Sequence, residues 1–368
     1  MILPQRKRLV QVSPVYDINL KNVTKSFGSL NAVDDITFTI PKSSVTVLLG
    51  PSGCGKTTLM RMIAGLEVPT SGNIFFDDIE VTRVPTKRRN LGMVFQYPVI
   101  YRGTSVKRNL ELPLLTEKLS KEEISKRVHD VADLLGISGD LNKMVEELDN
   151  GTRQKIAVGR AIARQPQIIL FDEPITNIDI TAKLELKRSL KEVFSRLSQT
   201  IVYVTHDQTE AMTLADQIAL MQDGVITQCA PPKEIYERPK SQFAGWFLGN
   251  PGINFIEKEH ISQTGSGITS SLFSQTLEAG SMASKVKVLG VRAEAIEVHT
   301  KQTPQSRAAR VVRKSLGIGG QYLLDLEYGS LKVKARVPHQ RGREIGENVW
   351  TSVNSNDIIM FDENGAAI

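Results

Sequence analysis

Short apolar runs punctuate the first 240 residues, separated by stretches in which apolar residues recur every three or four positions. Ile168-Ile169-Leu170-Phe171 and Ile201-Val202-Tyr203-Val204 are continuous, which predicts strands buried on both faces of a sheet. Val45-Thr46-Val47-Leu48-Leu49 and Thr37-Phe38-Thr39-Ile40 read as further strands. Leu186, Leu190, Val193, Phe194 and Leu197 fall on one helical face, as do Ile124, Val128, Val131, Leu134 and Leu135 in a highly charged segment. Helices alternating with buried strands predict an α/β domain with a mostly parallel sheet. Near Gly249-Asn250-Pro251-Gly252 the texture changes to short alternating segments, such as Val286-Lys287-Val288 and Leu331-Lys332-Val333-Lys334-Ala335. Residues 262–284 are polar enough to predict that they include a mobile loop. The expected organisation is a domain over residues 18–248 and a smaller β-rich domain over residues 249–368.

Composition narrows the class. With 368 residues, 40% hydrophobic, the chain suits a soluble globular protein of two domains. Its net charge of +6 is modest, and Arg6-Lys7-Arg8 and Lys87-Arg88-Arg89 read as solvated surface, with no nucleic-acid partner expected. Two cysteines, one of them Cys54 inside a glycine-rich loop, suit a reducing cytoplasmic setting. No apolar stretch reaches the roughly 18 to 20 residues that cross a bilayer. Met1-Ile2-Leu3-Pro4-Gln5-Arg6 also lacks the core of a signal peptide. Any membrane role is therefore expected to come through a partner.

The first chemical signal is Gly50-Pro51-Ser52-Gly53-Cys54-Gly55-Lys56-Thr57, between the strand at 45–49 and the helical Leu59-Met60-Arg61-Met62-Ile63. Glycines in such a loop let successive N–H groups turn inward around a polyphosphate, while the helix presents its positive dipole end to the same charge. Lys56 supplies a cation for the terminal phosphates and Thr57 a hydroxyl for Mg²⁺. The run 168–171 ends in Asp172-Glu173. Asp172 at the strand tip can hold Mg²⁺ through water, and Glu173 can polarise a water for attack on a γ-phosphate. His206 ends the next strand-like run, and Gln96 follows Gly92-Met93-Val94-Phe95. Alone, both residues are unremarkable.

In order along residues 18–240, these features resemble the nucleotide-binding subunit of ABC transporters. The matching segments are the phosphate loop, Gln96, Leu148-Asp149-Asn150-Gly151-Thr152-Arg153-Gln154, Asp172-Glu173, Ile175-Thr176-Asn177-Ile178-Asp179 and His206. The resemblance implies a P-loop ATPase domain with a helical subdomain, ATP and Mg²⁺ as cofactors, and a nucleotide site built by residues 50–57 and Thr58. Phe27 would stack on adenine with Val33 beside it. Gln96 would sense metal and water, His206 would contact the γ-phosphate, and residues 97–110 would form part of the docking face for a membrane subunit. Phe247-Leu248-Gly249-Asn250-Pro251-Gly252-Ile253-Asn254-Phe255 and Val291-Arg292-Ala293-Glu294 further resemble the junction and OB-like, TOBE-type regulatory domain of ATPases serving carbohydrate and polyol importers.

One segment departs from the family pattern. Where the family places Leu-Ser-Gly-Gly-Gln, this chain has Leu148-Asp149-Asn150-Gly151-Thr152. In the family that segment contacts ATP held by the opposite subunit, so Asp149 sets a carboxylate where a hydroxyl would face the γ-phosphate. Two like charges about 4 Å apart repel by roughly 4 kcal/mol at an effective dielectric near 20. The alternative is that Asp149 simply caps a helix, as serine would.

The expected function is ATP hydrolysis energising an importer for a sugar, a polyol such as glycerol, or a glycerol phosphate. The expected partners are a second, non-identical ABC ATPase, two permease subunits and, indirectly, an extracytoplasmic solute-binding protein. Such a chain would sit peripherally on the cytoplasmic membrane face. Two rivals stand beside this reading. One is a regulatory or structural subunit that binds ATP with little turnover. The other is a nucleic-acid-associated ABC ATPase, which salt-dependent binding to DNA or RNA would reveal.

Overall fold

Five strands, buried along nearly their whole length, run parallel through the centre of the first unit: β3 (Val45–Leu49), β6 (Leu91–Val94), β7 (Ile168–Asp172), β8 (Thr200–Thr205) and β9 (Gln217–Gln222). With β10 (Val225–Ala230) antiparallel to β9, the sheet order is β10-β9-β3-β8-β7-β6. The continuous runs of the sequence are its interior. Leu48, Leu170, Val202, Val204, Ala219 and Met221 are all buried in one core with Leu59, Met60 and Ile63 of helix α1 (Lys56–Ala64). The computed structural model describes residues 15–176, 178–317 and 319–368. Arg6-Lys7-Arg8, the start of the chain and Asn177 lie outside them. The chain divides into two compact units between Pro232 and Lys233.

A second, antiparallel sheet belongs to the first unit, and only the end of one of its strands, at Thr37-Phe38-Thr39-Ile40, was legible in the sequence. It joins β1 (Ile18–Phe27), β2 (Leu30–Ile40), β4 (Ser71–Phe76) and β5 (Ile79–Glu80) in the order β2-β1-β4-β5. Three helices form the helical subdomain: α2 (Val106–Glu111), α3 (Lys121–Leu135) and α4 (Asn150–Ala163). Ser120 and Glu123 close a reciprocal capping box that starts α3. Helices pack closely here because Gly159 lacks a side chain; a Cβ on it would lie 2.6 Å from Leu110 Cδ2 and 3.0 Å from Leu135 Cδ1. Helices α5 (Ile180–Arg196) and α6 (Gln208–Leu214) complete the unit.

The second unit holds three antiparallel sheets. The largest orders Ile296–His299, Asn348–Val353, Arg307–Leu316, Tyr322–Tyr328 and Leu331–Val337 side by side. In Leu331–Val337 the odd-numbered residues are buried and the lysines between them exposed, as the alternation required. Residues 262–284 form a small sheet despite their polarity. They contain strands Ile261–Thr264, Gly267–Ser270 and Phe273–Glu278, because Ile268, Leu272, Phe273 and Leu277 bury themselves in the unit's core. Arg292 is buried too. It donates to the carbonyls of Gly245, Leu248 and Tyr236, with its guanidinium 4.1 Å over the Tyr236 ring. Among the described residues no helix is long and apolar enough to cross a membrane.

Arg89 corrects the reading of Lys87-Arg88-Arg89 as solvated surface. It is only 4% exposed and donates to the carbonyls of Met62 and Ile63 at the end of α1 and to those of Thr82 and Val84. Burial lowers its pKa to about 10. Helix α1 thus ends on a guanidinium that satisfies carbonyls left over by the last turn. Replacing Arg89 by Met is expected to cost about 3 kcal/mol of folding stability, since several buried carbonyls lose their donor at once. A shift in the denaturant midpoint of the first unit measures it.

Candidate functional site

Parallel pairing sets β3, β7 and β8 level at their C-terminal ends. Leu49 pairs with Thr205, and Asp172 with Val204, so whatever follows each strand emerges at the same edge. Ligands of open parallel sheets bind at that edge. Out of β3 comes the glycine-rich loop, out of β7 Glu173, and out of β8 His206.

Glycine is required at two loop positions. A Cβ at Gly50 would lie 2.2 Å from the Met221 carbonyl oxygen, and one at Gly55 would lie 2.1 Å from that of Ala32. Gly55 also carries φ +103° at the N-terminus of α1. Ser52 and Gly53 face solvent, while Cys54 is a buried free thiol whose pKa burial raises. Lys56 starts α1, 4% exposed, and folds back so that Nζ donates to the carbonyls of Gly50 and Pro51, each at 2.8 Å. Pro51 and Thr58 are half-buried beside it.

Thr57 Oγ1 donates to Asp172 Oδ1 at 3.1 Å, which joins the loop to β7. Burial raises the Asp172 carboxyl above its ordinary range, and the bond from Thr57 only partly offsets this. These are two oxygen donors of the kind that hard divalent cations take. Among the described residues no cluster of three or more His, Cys, Asp or Glu side chains could hold a metal alone. A cation here would draw further oxygens from a bound phosphate and water.

Glu173 follows with φ +44°, a left-handed conformation uncommon for a side chain of this size. Its N–H donates to the Val204 carbonyl at 3.1 Å, and its side chain leaves the sheet at the edge. Glu173 Oε2 lies 3.1 Å from His206 Nδ1 and 3.3 Å from the Thr176 hydroxyl. Gln96, half-buried, sits two residues beyond β6. Phe27 is 51% exposed, with Lys25 Nζ 5.0 Å from its ring. Val33 differs: it is fully buried, with Cγ2 3.5 Å from where a Gly55 Cβ would lie, and so backs the loop from inside.

Sequence reasoning missed the support behind His206. Asp207 caps α6, accepting from the backbone N–H groups of Thr209 and Glu210 and from Lys183 Nζ at 2.8 Å. Glu210, 3% exposed, accepts from Tyr203 Oη at 3.0 Å and Thr205 Oγ1 at 2.8 Å, with Lys183 Nζ at 3.3 Å. Burial alone would raise the Asp207 carboxyl, but Lys183, Thr209 and the Glu210 amide together hold it well below its ordinary range. Asp three residues before Glu at a helix start was a visible capping signal. Lys183, from α5, was not.

The degenerate segment lies elsewhere. Asp149 caps α4, with Oδ1 accepting from Thr152 N at 2.9 Å and Oδ2 from Thr152 Oγ1 at 2.7 Å. Burial would raise this carboxyl, yet the bonds from Thr152 outweigh it and lower its pKa, so it stays ionised. Asn150 is exposed, and Gly151 is buried, its missing Cβ 2.9 Å from Ala182 Cβ. Asp149, Gly151 and Thr152 line a cleft of about 190 Å³ with Asp179 and Ala182 of the α5 start, and no phosphate-loop residue borders it. Residues 97–110 expose Tyr97, Val99 and Tyr101. Tyr97 and Arg102 border a cavity of about 360 Å³ with Asn150 and Arg153.

Known proteins resemble this chain. The ABC transporter family matches residues 33–176. The sn-glycerol-3-phosphate import ATP-binding protein UgpC of Escherichia coli O6:K15:H31 is 36% identical over 355 residues, covering 94% of this chain and 97% of the relative. The trehalose/maltose import ATP-binding protein MalK of Thermococcus litoralis is 43% identical over 246 residues, covering 65% of this chain and 66% of the relative. Among solved structures, cbiO1 from Clostridium perfringens, part of the ABC transporter complex cbiONQ, matches with TM-score 0.56 and 27% identity over 60% of this chain and 91% of that one.

Asp172 offers a pH test. Its folded pKa is raised, so ionising it costs stability above the ordinary carboxylate range and costs nothing below it. Asp172→Asn is therefore expected to stabilise the nucleotide-free protein at neutral pH. The gain should vanish as pH falls below that ordinary range. Thermal melts of the two proteins across pH check the sign.

Proposed function

Because this chain belongs to the ABC transporter ATP-binding family, we propose that it hydrolyses ATP to drive an importer for a sugar, a polyol or a glycerol phosphate. The substrate class is supported by relatives whose names specify sn-glycerol-3-phosphate and trehalose/maltose import. Two permease subunits would carry the solute and an extracytoplasmic binding protein would deliver it. This chain would then act at the cytoplasmic face, docking through residues 97–110, of which Tyr97, Val99 and Tyr101 are exposed. In the nucleotide site the loop amides and Lys56 cradle the phosphates, Lys56 exchanging the carbonyls of Gly50 and Pro51 for phosphate oxygens. Phe27 stacks on the base. Thr57 and Asp172 would hold Mg²⁺, which would offset phosphate charge, and Gln96 would reach the same ion and the attacking water.

The observation that carries the reading is Glu173, presented at the phosphate-loop edge and 3.1 Å from His206 Nδ1. Glu173 takes the proton from water as its oxygen bonds to the γ-phosphorus and the bond to the β,γ-bridging oxygen breaks. His206 steadies the γ-phosphate and orients Glu173. Such closed, dry chemistry requires a second ATPase subunit facing this one.

Asp149 supports a non-identical partner. Its carboxylate is ionised and would meet the triphosphate held by the facing subunit, whereas a partner with serine there would complete the site on this chain. A self-pair would carry the repulsion twice. The reading with little turnover is disfavoured by the intact Glu173–His206 pair.

Two measurements test this. Glu173→Gln is expected to retain ATP binding while hydrolysis falls roughly 10³-fold, the scale of a lost general base, and uptake with it. Undiminished uptake would mean a regulatory subunit. For the pairing, the lone chain should hydrolyse ATP weakly, and Asp149→Ser should raise its turnover by about tenfold or more, since relieving even 1.4 kcal/mol of repulsion gives a factor of ten. Brisk turnover and ATP-dependent self-pairing of the unmodified chain refute the non-identical partner.

A further inference from the structure

Gln154 lies two residues beyond Thr152 on the inner face of α4 and is 1% exposed. Its amide Nε2 donates to the Phe95 carbonyl at 3.0 Å. Phe95 is the first residue past β6 and immediately precedes Gln96. The orientation of the amide is fixed by chemistry, because turning it over would set two oxygens against each other. Among the described residues nothing donates to Gln154 Oε1, which is buried.

Packing alone does not call for an amide here. Methionine or leucine would fill the same space without burying polar atoms, one of them unsatisfied. The polarity is spent on one bond, and that bond fixes the backbone from which Gln96 departs. Six residues further along α4, Arg160 donates to the Val99 carbonyl and lies 4.3 Å over the Tyr101 ring. Thus α4 holds the segment 95–101 at two points, and Gln154 is the one next to both Gln96 and the first turn of the helix.

We propose that Gln154 is a positioning residue that ties the place of Gln96 to the place of the α4 N-terminus. Gln154 touches no nucleotide. It transmits: when the capped first turn carrying Asp149 and Thr152 shifts, the Phe95 carbonyl follows, and Gln96 moves toward or away from the metal and water. The unsatisfied Oε1 leaves the amide able to accept a second bond from the loop's own N–H groups in a shifted position. This inference rests on the reading of Gln96 as a contact to metal and water.

The test uses the full-length chain, a fluorescent ATP analogue and a Mg²⁺ titration, so it needs no turnover. In Gln154→Met the Mg²⁺ concentration for half-maximal tightening is expected to rise about tenfold, the scale seen when a supporting residue behind a metal site is lost. Affinity for the analogue in EDTA should stay within about twofold, because the phosphate loop is untouched. Combined with Gln96→Ala, Gln154→Met should add nothing further, as expected for residues acting through one another. Gln154→Asn, too short to reach Phe95, should reproduce the shift and serves if the Met variant melts early. An unshifted Mg²⁺ midpoint in either folded variant, or losses that multiply with Gln96→Ala, overturns the proposal. If Gln96→Ala itself leaves the midpoint unmoved, the reading of Gln96 fails instead.

Discussion

The register between three parallel strands is the constraint on which the site depends. Leu49 beside Thr205 and Asp172 beside Val204 bring a loop, an acid and a histidine from residues 50, 173 and 206 to one edge. That register is held by burial. Each strand is covered on both faces, so a slip by one residue would reverse which side chains meet which layer of the core. The active groups are short extensions of strands whose interior has no freedom to shift. Support arrives from behind in the same way, with Arg89 under the end of α1 and Glu210 under the turn after β8.

Two aspartates near this edge show how surroundings divide the labour. Asp172 is buried with one hydroxyl donor, and desolvation dominates, so its ionised form carries a cost that a cation would offset. Asp207 is also partly buried but receives two backbone N–H groups, the Thr209 hydroxyl and Lys183, which overwhelm the same penalty. One carboxyl is left needing a positive partner and the other is already satisfied. The first suits a ligand site and the second a frame.

What the sequence disclosed was local. Glycines spaced around Lys56, acids at the end of an apolar run, and Asp149 before a helix each carry their meaning within a few residues, because strand ends, tight loops and caps are short-range chemistry. What it concealed depends on distant partners. Nothing near Arg89 announces that carbonyls 26 and 27 residues away will surround it. Polar residues 262–284 hid a small sheet because four well-placed apolar side chains suffice to anchor it once a core exists elsewhere. The burial of Val33 also depends on distant partners, since the side of the strand it faces is set by the pairing of β1 with β2. The link from Gln154 to Phe95 spans 59 residues and is invisible without coordinates.

Glu173 sits in a backbone conformation that costs of order 1–3 kcal/mol for most side chains and almost nothing for glycine or asparagine. Exchange for glycine therefore runs downhill: descendants that put glycine at this position would fold more firmly than their parent. Retaining the carboxylate needs continual purifying selection on uptake, so a lineage released from that selection should lose this residue early while keeping its architecture.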